Sequence, residues 1–227
     1  MRSFATVLCL SLLSVALLAG SAQALTINGC QIRPHTNCPM ALLFHRNLRD
    51  WNLSGANLRN AFMVRADLRG ANLSNANLSG ADLREALLNG TNLSGAHLSG
   101  AHLNRATAER ANLRGANLAG AQVRGNFYRA SLYKANLRGA SLKSSNLRYA
   151  NLARANLSNA HLWQTVFHDA NLRYADLRGA NMTSTRLRGA NLYHANLYGA
   201  TNLQSTWFHG AHGCSTALPI GILSARC

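Results

Sequence analysis

Arginine supplies most of the chemistry this chain has to offer. Its 227 residues carry 23 Lys and Arg against 7 Asp and Glu, a formal net charge of +16, and every cation except Lys134 and Lys143 is Arg. A guanidinium is a rigid fork of donors that meets phosphate, sulfate or carboxylate with two parallel hydrogen bonds, so this bias points to oxyanion recognition. A surplus of exposed Arg also serves solubility with no partner at all. Other chemistry is thin. The seven acids form no carboxylate pair, no Ser has a His at readable spacing, and no phosphate loop or nucleotide fingerprint occurs. His97 and His102 lie five apart, hence on different faces, and read as polar fillers. No catalytic group, cofactor, metal site or small-molecule substrate is expected.

What positions the cations is a five-residue rhythm, Ala-Asn/Asp-Leu-x-x, running from about Leu43 to Phe208. Between Leu58 and Val123 the central residue is Leu in 11 of 14 units, and the residue two before it is Ala in 13 of 14. Period five suits neither regular element. On a helix it scatters the leucines round the surface, and in a continuous strand it flips them between faces. The chain must turn a corner in every unit so that each Leu points to one interior, which is a β-solenoid. Two residues after every fourth centre stand Asn60, Gly80, Gly100, Gly120, Gly139, Asn159, Gly179 and Gly199. Those types accept positive φ, as a tight turn of type II requires, so one corner in four is expected to be special and the coil to have four sides. One residue is missing between Val123 and Phe127 and one is extra between Gly199 and Leu203, which leaves about 8 coils of about 20 residues.

These residues resemble the pentapeptide repeat family over roughly three quarters of the chain. The resemblance implies a right-handed quadrilateral β-helix. It also brings to mind acidic members that look like DNA and inhibit topoisomerases, but a rod this basic departs from that pattern in charge.

The termini suggest export. Met1-Arg2, the apolar run Val7 to Ala19 and Ala22-Gln23-Ala24 have the three parts of a secretory signal peptide, with cleavage expected after Ala24. The run is too short to span a membrane. The expected division is a signal peptide (1–24), an N-terminal cap (25–42), the all-β repeat region (43–210) and a C-terminal cap (211–227), in a secreted or periplasmic protein. Four cysteines follow the signal, two before the rod and two after it. A disulfide needs Cα atoms within about 7 Å, so the expected pairs are Cys30 with Cys38 and Cys214 with Cys227, each stapling a cap over exposed strand edges. A zinc site using His209, His212 and Cys214 has poor spacing.

Assigning units to sides sorts the cations. One side collects Arg49, Arg69, Arg110, Arg129, Arg148, Arg186 and Arg188, interleaved with Tyr128, Tyr149 and His168. The side before it carries Arg65, Arg84, Arg105, Arg124 and Lys143, and the side after it Tyr133, Lys134, Arg154, Arg173, Tyr174, Tyr193 and His194. Like charges one coil apart repel, and an anionic partner relieves them. The expected function is a non-enzymatic scaffold whose Arg-rich faces bind polysaccharide, lipid headgroups, nucleic acid or an acidic protein with salt-dependent affinity. Two plainer readings stand beside it: stacked tyrosines steady neighbouring coils, and the rod is a spacer with no ligand.

Overall fold

The computed structural model describes residues 25–213. It opens with an antiparallel hairpin of β1 (Leu25–Ile27) and β2 (Cys30–Ile32), joined by Asn28-Gly29 at φ 49° and 79°. Asn-Gly accepts positive φ at both positions, which is what a two-residue hairpin turn demands. Ile27, Cys30 and Ile32 are buried in the same cluster as the repeat leucines, so the hairpin lies against the N-terminal end of the core. A Cys30–Cys38 disulfide, Cα atoms 5.6 Å apart, ties it to the first coil. The expected Cys214–Cys227 pair and the expected signal peptide lie outside the described residues.

From Asn37 to His212 neighbouring coils are held by isolated parallel bridges on four sides. Side 1 stacks Asn37, Asn57, Asn77 and onward to Asn196; side 2 stacks Leu42, Phe62, Asp82 and onward to Thr201; side 3 runs from Asn47 to Trp207; side 4 runs from Asn52 to His212. Each side has one bridging residue per coil because a corner follows within the same five residues. Bridging starts within the span expected to be cap, because Cys38 takes the place of a central Leu there: its N–H donates to the Asn57 carbonyl at 2.8 Å. Partners lie 20 residues apart, fall to 19 between Thr107–Asn126 and Gln122–Ser141, and rise to 21 at Arg186–Trp207. The short corner contains Gly125, where any Cβ would run into the Ala106 carbonyl oxygen. The long one is a 3-10 turn, Leu203–Ser205.

The corners correct one expectation. The sequence predicts a left-handed residue at one corner in four, whereas the structure places one at the second corner position on all four sides, including Arg65 (φ 56°), Tyr149 (φ 58°) and Arg154 (φ 60°). For an L-residue this costs about 1–2 kcal/mol. The ladder compensates, because that residue's N–H donates to the next coil, as Arg154 does to the Arg173 carbonyl at 2.8 Å. Gly or Asn is therefore the cheap choice at every corner and obligatory at few.

Hydrogen bonding explains the Asn of the rhythm. In the unit Ala71 to Asn75, the Leu73 and Asn75 N–H groups donate to the next coil, that of Asn72 to the previous one, and that of Ala71 across the corner to Leu68. The fifth, Ser74 N–H, is taken by Asn72 Oδ1 at 3.1 Å. Asn thus completes the backbone's donors, and its Nδ2 reaches the Asn one coil back, as Asn92 does to Asn72 (3.1 Å) and Asn112 to Asn92 (3.1 Å). Inside, the central leucines are fully buried with alanine between them. Where Ser or Thr replaces Ala its hydroxyl is buried and donates to a central carbonyl: Ser145 to Val123, Thr165 to Leu142, Thr185 to Leu162.

Candidate functional site

Two corner residues per unit project outward from a rigid ladder, so the sides fix which side chains meet. On side 3 the structure stacks Arg49, Arg69, Arg110, Arg129, Arg148, Arg186 and Arg188 along the rod, as the spacing implies, but it spreads four of the seven acids among them: Asp50, Asp67, Glu109 and Asp169. Arg69 is committed, its Nε 2.8 Å from Asp67 Oδ1 and its terminal nitrogen 2.5 Å from Oδ2. That two-pronged bond holds the Asp67 carboxyl below its usual range, against the opposing effect of burial. Arg129 lies over Tyr128 (5.2 Å) and Tyr149 (5.6 Å). His168 is pushed below its ordinary value by burial first and then by Arg148, Arg188 and Arg186, with Asp169 opposing.

Sides 1 and 2 are compensated in part. Arg84 pairs with Asp82, Arg178 with Asp176, and Glu85 lies between Arg65 (2.7 Å) and Arg105 (3.6 Å). Lys143 sits over the Trp163 ring at 3.9 Å.

Side 4 differs. It carries none of the seven acids, and none of the five ion pairs among the described residues touches it. Its second half brings Tyr133, Lys134, Arg154, Arg173, Tyr174, Tyr193 and His194 into one continuous stripe. Arg173 lies 4.8 Å from the Tyr193 ring and 5.8 Å from Tyr174, Arg154 lies 5.5 Å from Tyr174, and Lys134 lies 5.4 Å from Tyr133. His194 stacks on Tyr174 at 5.0 Å and meets Tyr193 edge-on at 4.1 Å. Arg114, which sequence reasoning left out, extends the stripe by one coil at 4.9 Å from Tyr133. The signal was available: Arg114 holds the corner position one coil before Tyr133. The bridging asparagines fix the backbones beneath, Asn171 Oδ1 accepting Arg173 N–H (3.2 Å) and Asn191 Oδ1 accepting Tyr193 N–H (3.1 Å).

The left-handed corner position along this side is Gly55, Asn75, Gly95 and Gly115 in the first half, then Lys134, Arg154, Tyr174 and His194. The second half thus places large side chains at that position, as side 2 does at His45, Arg65, Glu85 and Arg105 and side 3 at Arg110, Arg129, Tyr149 and Asp169, so the ladder tolerates them on any side. Stacked guanidiniums and phenol rings on a ladder with a repeat of about 5 Å can bind oxyanions and cover flat rings along an extended ligand.

Among the described residues no group of three or more His, Cys, Asp or Glu is placed to hold a metal ion, and no helix is long and apolar enough to cross a membrane.

The family model for pentapeptide repeats matches eight copies within residues 52–212. The solved structure of HetL, a pentapeptide repeat protein involved in heterocyst differentiation regulation from the cyanobacterium Nostoc sp. strain PCC 7120, is 32% identical over 78% of this chain and 89% of its own, with a TM-score of 0.37. QnrB1, a plasmid-mediated fluoroquinolone resistance protein, is 15% identical over 78% of this chain and 93% of its own, with a TM-score of 0.63, a likeness of fold. A lumenal pentapeptide repeat protein of Arabidopsis thaliana is 30% identical over 44% of this chain and 67% of its own, with a TM-score of 0.29. No curated protein matches.

Proposed function

The chain belongs to the pentapeptide repeat family, whose members form right-handed quadrilateral β-helices, and on that premise we propose that it is an exported, non-enzymatic scaffold that binds an extended anionic partner. The observation that carries this reading is the acid-free stripe on side 4, where cations and tyrosine rings follow one another over successive coils with no acid to offset them. The arginine column of side 3 is the secondary face, partly neutralised by its own acids. Bridged positions 37–212 make nine turns of four sides, a rod about 40 Å long at the usual strand spacing. The hairpin with Cys30–Cys38 serves as one stapled cap, with a Cys214–Cys227 pair proposed for the other. Cleavage after Ala24 would deliver the protein to the periplasm or beyond, where its anionic partners are envelope polysaccharide, headgroups, nucleic acid or acidic proteins. Its charge sets it apart from a mimic of a polyanion.

The test is capture by the immobilised, oxidised protein (25–227) from envelope and secreted fractions, at low and high salt, beside a variant carrying Arg114→Gln, Arg154→Gln and Arg173→Gln. Capture that salt weakens and the variant loses supports the reading. Capture of nothing, or capture indifferent to salt and to the substitutions, overturns it in favour of a spacer without a ligand.

A further inference from the structure

Near the C-terminal end of side 3 lies an open groove of about 740 Å³, lined by His168, Arg186, Arg188, Trp207 and His209. It arises from two departures from the repeat. Arg186 occupies a bridging position that Asn fills in half of the units, so its guanidinium projects from the flat of the side rather than from a corner. The extra residue of the Leu203–Ser205 turn then shifts the register by one. Thr206 thereby takes the inward place, its hydroxyl 2.9 Å from the Met182 carbonyl, and Trp207 becomes the bridging residue beside Arg186. Without that insertion the indole would fall at a central, inward position; with it Trp207 is 66% exposed.

The result is a small ordered array. Arg186 and Trp207 are neighbours at the bridging position, and His168, Arg188 and His209 follow one another at the first corner position in three successive coils. Among the described residues Arg186 and Arg188 enter no ion pair and Trp207 makes no ring contact. The acid of this side one coil before Arg188, Asp169, packs its carboxylate against Gly189 instead. Elsewhere on the rod, aromatic rings such as Tyr133, Trp163 and Tyr174 are covered by a cation or a neighbouring ring. Here the forks and the ring are both free.

We propose that this groove binds a carboxylated sugar unit, with the ring of the sugar lying on Trp207 and its carboxylate held by the forks of Arg186 and Arg188. A planar carboxylate matches a guanidinium in two parallel bonds, an apolar sugar face matches an indole, and the imidazoles of His168 and His209 bond the hydroxyls. A bare phosphate would leave the indole unused, and a neutral sugar would leave two cations unpaired. The volume lies in the range of ligand sites and admits one or two rings. The inference rests on the proposed function in that arginines meet an anion, and it deepens the secondary face, side 3, rather than the side 4 stripe.

Trigalacturonate is the probe, titrated against the oxidised protein (25–227) by isothermal titration calorimetry, beside galactotriose and adenosine monophosphate. Expected are saturable binding of trigalacturonate and none of galactotriose. Binding should weaken at least tenfold in Arg188→Gln, in Arg186→Gln and in Trp207→Tyr, each with unchanged circular dichroism and melting. The side 4 variant Arg154→Gln/Arg173→Gln should bind trigalacturonate as the parent does, so the groove can stand or fall apart from the stripe. Equal binding of galactotriose, tighter binding of adenosine monophosphate, no binding, or a loss as large in the side 4 variant as in Arg188→Gln would overturn the proposal.

Discussion

Asn92→Ala tests what the polar residue of the rhythm does. Asn92 Oδ1 accepts Ser94 N–H at 3.2 Å and Asn112 Nδ2 at 3.1 Å, while its own Nδ2 donates to Asn72 Oδ1 at 3.1 Å. The substitution removes three hydrogen bonds in mid-rod without touching the leucine core. At a net value of about 1 kcal/mol per bond the loss is about 3 kcal/mol, reduced to about 2 kcal/mol where water reaches the half-buried partners. Asn196→Ala is the comparison, because Asn196 accepts only the exposed Tyr198 N–H at 3.0 Å, and its loss should be about 1 kcal/mol or less. Urea unfolding followed by circular dichroism reads both, at constant slope so that the midpoints report stability. Equal midpoint shifts in the two variants, or no shift in either, would refute the claim that asparagine closes the backbone's fifth donor and rails the coils together.

Two further outcomes follow from the geometry. Gly125→Ala and Gly120→Ala should both lower stability in the same assay, for different reasons: a Cβ at 125 collides with the Ala106 carbonyl and comes within 3.3 Å of the Phe127 ring, an overpacking of about 1–3 kcal/mol, whereas a Cβ at 120 meets nothing within 4 Å but sits at φ 65°, a strain of about 1–2 kcal/mol; a neutral Gly125→Ala would contradict the packing at the short corner. On acidification, Asp67, Asp82 and Asp176 have folded-state values held below the ordinary one by bonds from Arg69, Arg84 and Arg178, so the unfolded chain takes up protons first. Their contribution is present above about pH 4 and is lost as pH falls through the lower folded-state values. Melting temperature against pH should therefore fall less steeply below pH 4 in the triple Asp→Asn variant, and an unchanged acid limb would contradict the assignment.

Much of this fold is written in local spacing. Leu at every fifth place can reach one interior only if the chain corners in each unit, so the four sides, both slips and the grouping of side chains by side are readable before any coordinates. Corner chemistry was less legible. Gly and Asn mark positive φ where they occur, but Arg65 or Tyr174 at the same backbone angle gives no sign of it, because the ladder rather than the residue type sets that angle. Asn28-Gly29 did carry a hairpin signal, obscured by its position before the rhythm starts. The role of Asn72 and its kin needed the coil-to-coil contact, since an Nδ2 reaching 20 residues away leaves no trace in the spacing. At the candidate site, spacing assembled the cations of side 3 and side 4 alike. Which of them are free depends on two-residue contacts such as Asp67 with Arg69, and these separate a committed Arg69 from cations such as Arg173 and Arg188 that enter no ion pair among the described residues.

The most direct test of the central claim is the salt dependence of binding to an extended polyanion without a sugar ring, polyphosphate, compared between the parent and the Arg114→Gln/Arg154→Gln/Arg173→Gln variant. The logarithm of the binding constant should fall linearly with the logarithm of salt concentration, with a slope shallower by about 2–3 in the variant, because each cation–anion contact contributes a little under one unit. A slope unchanged by removing the three arginines, or binding indifferent to salt, would contradict a scaffold that meets its partner along side 4.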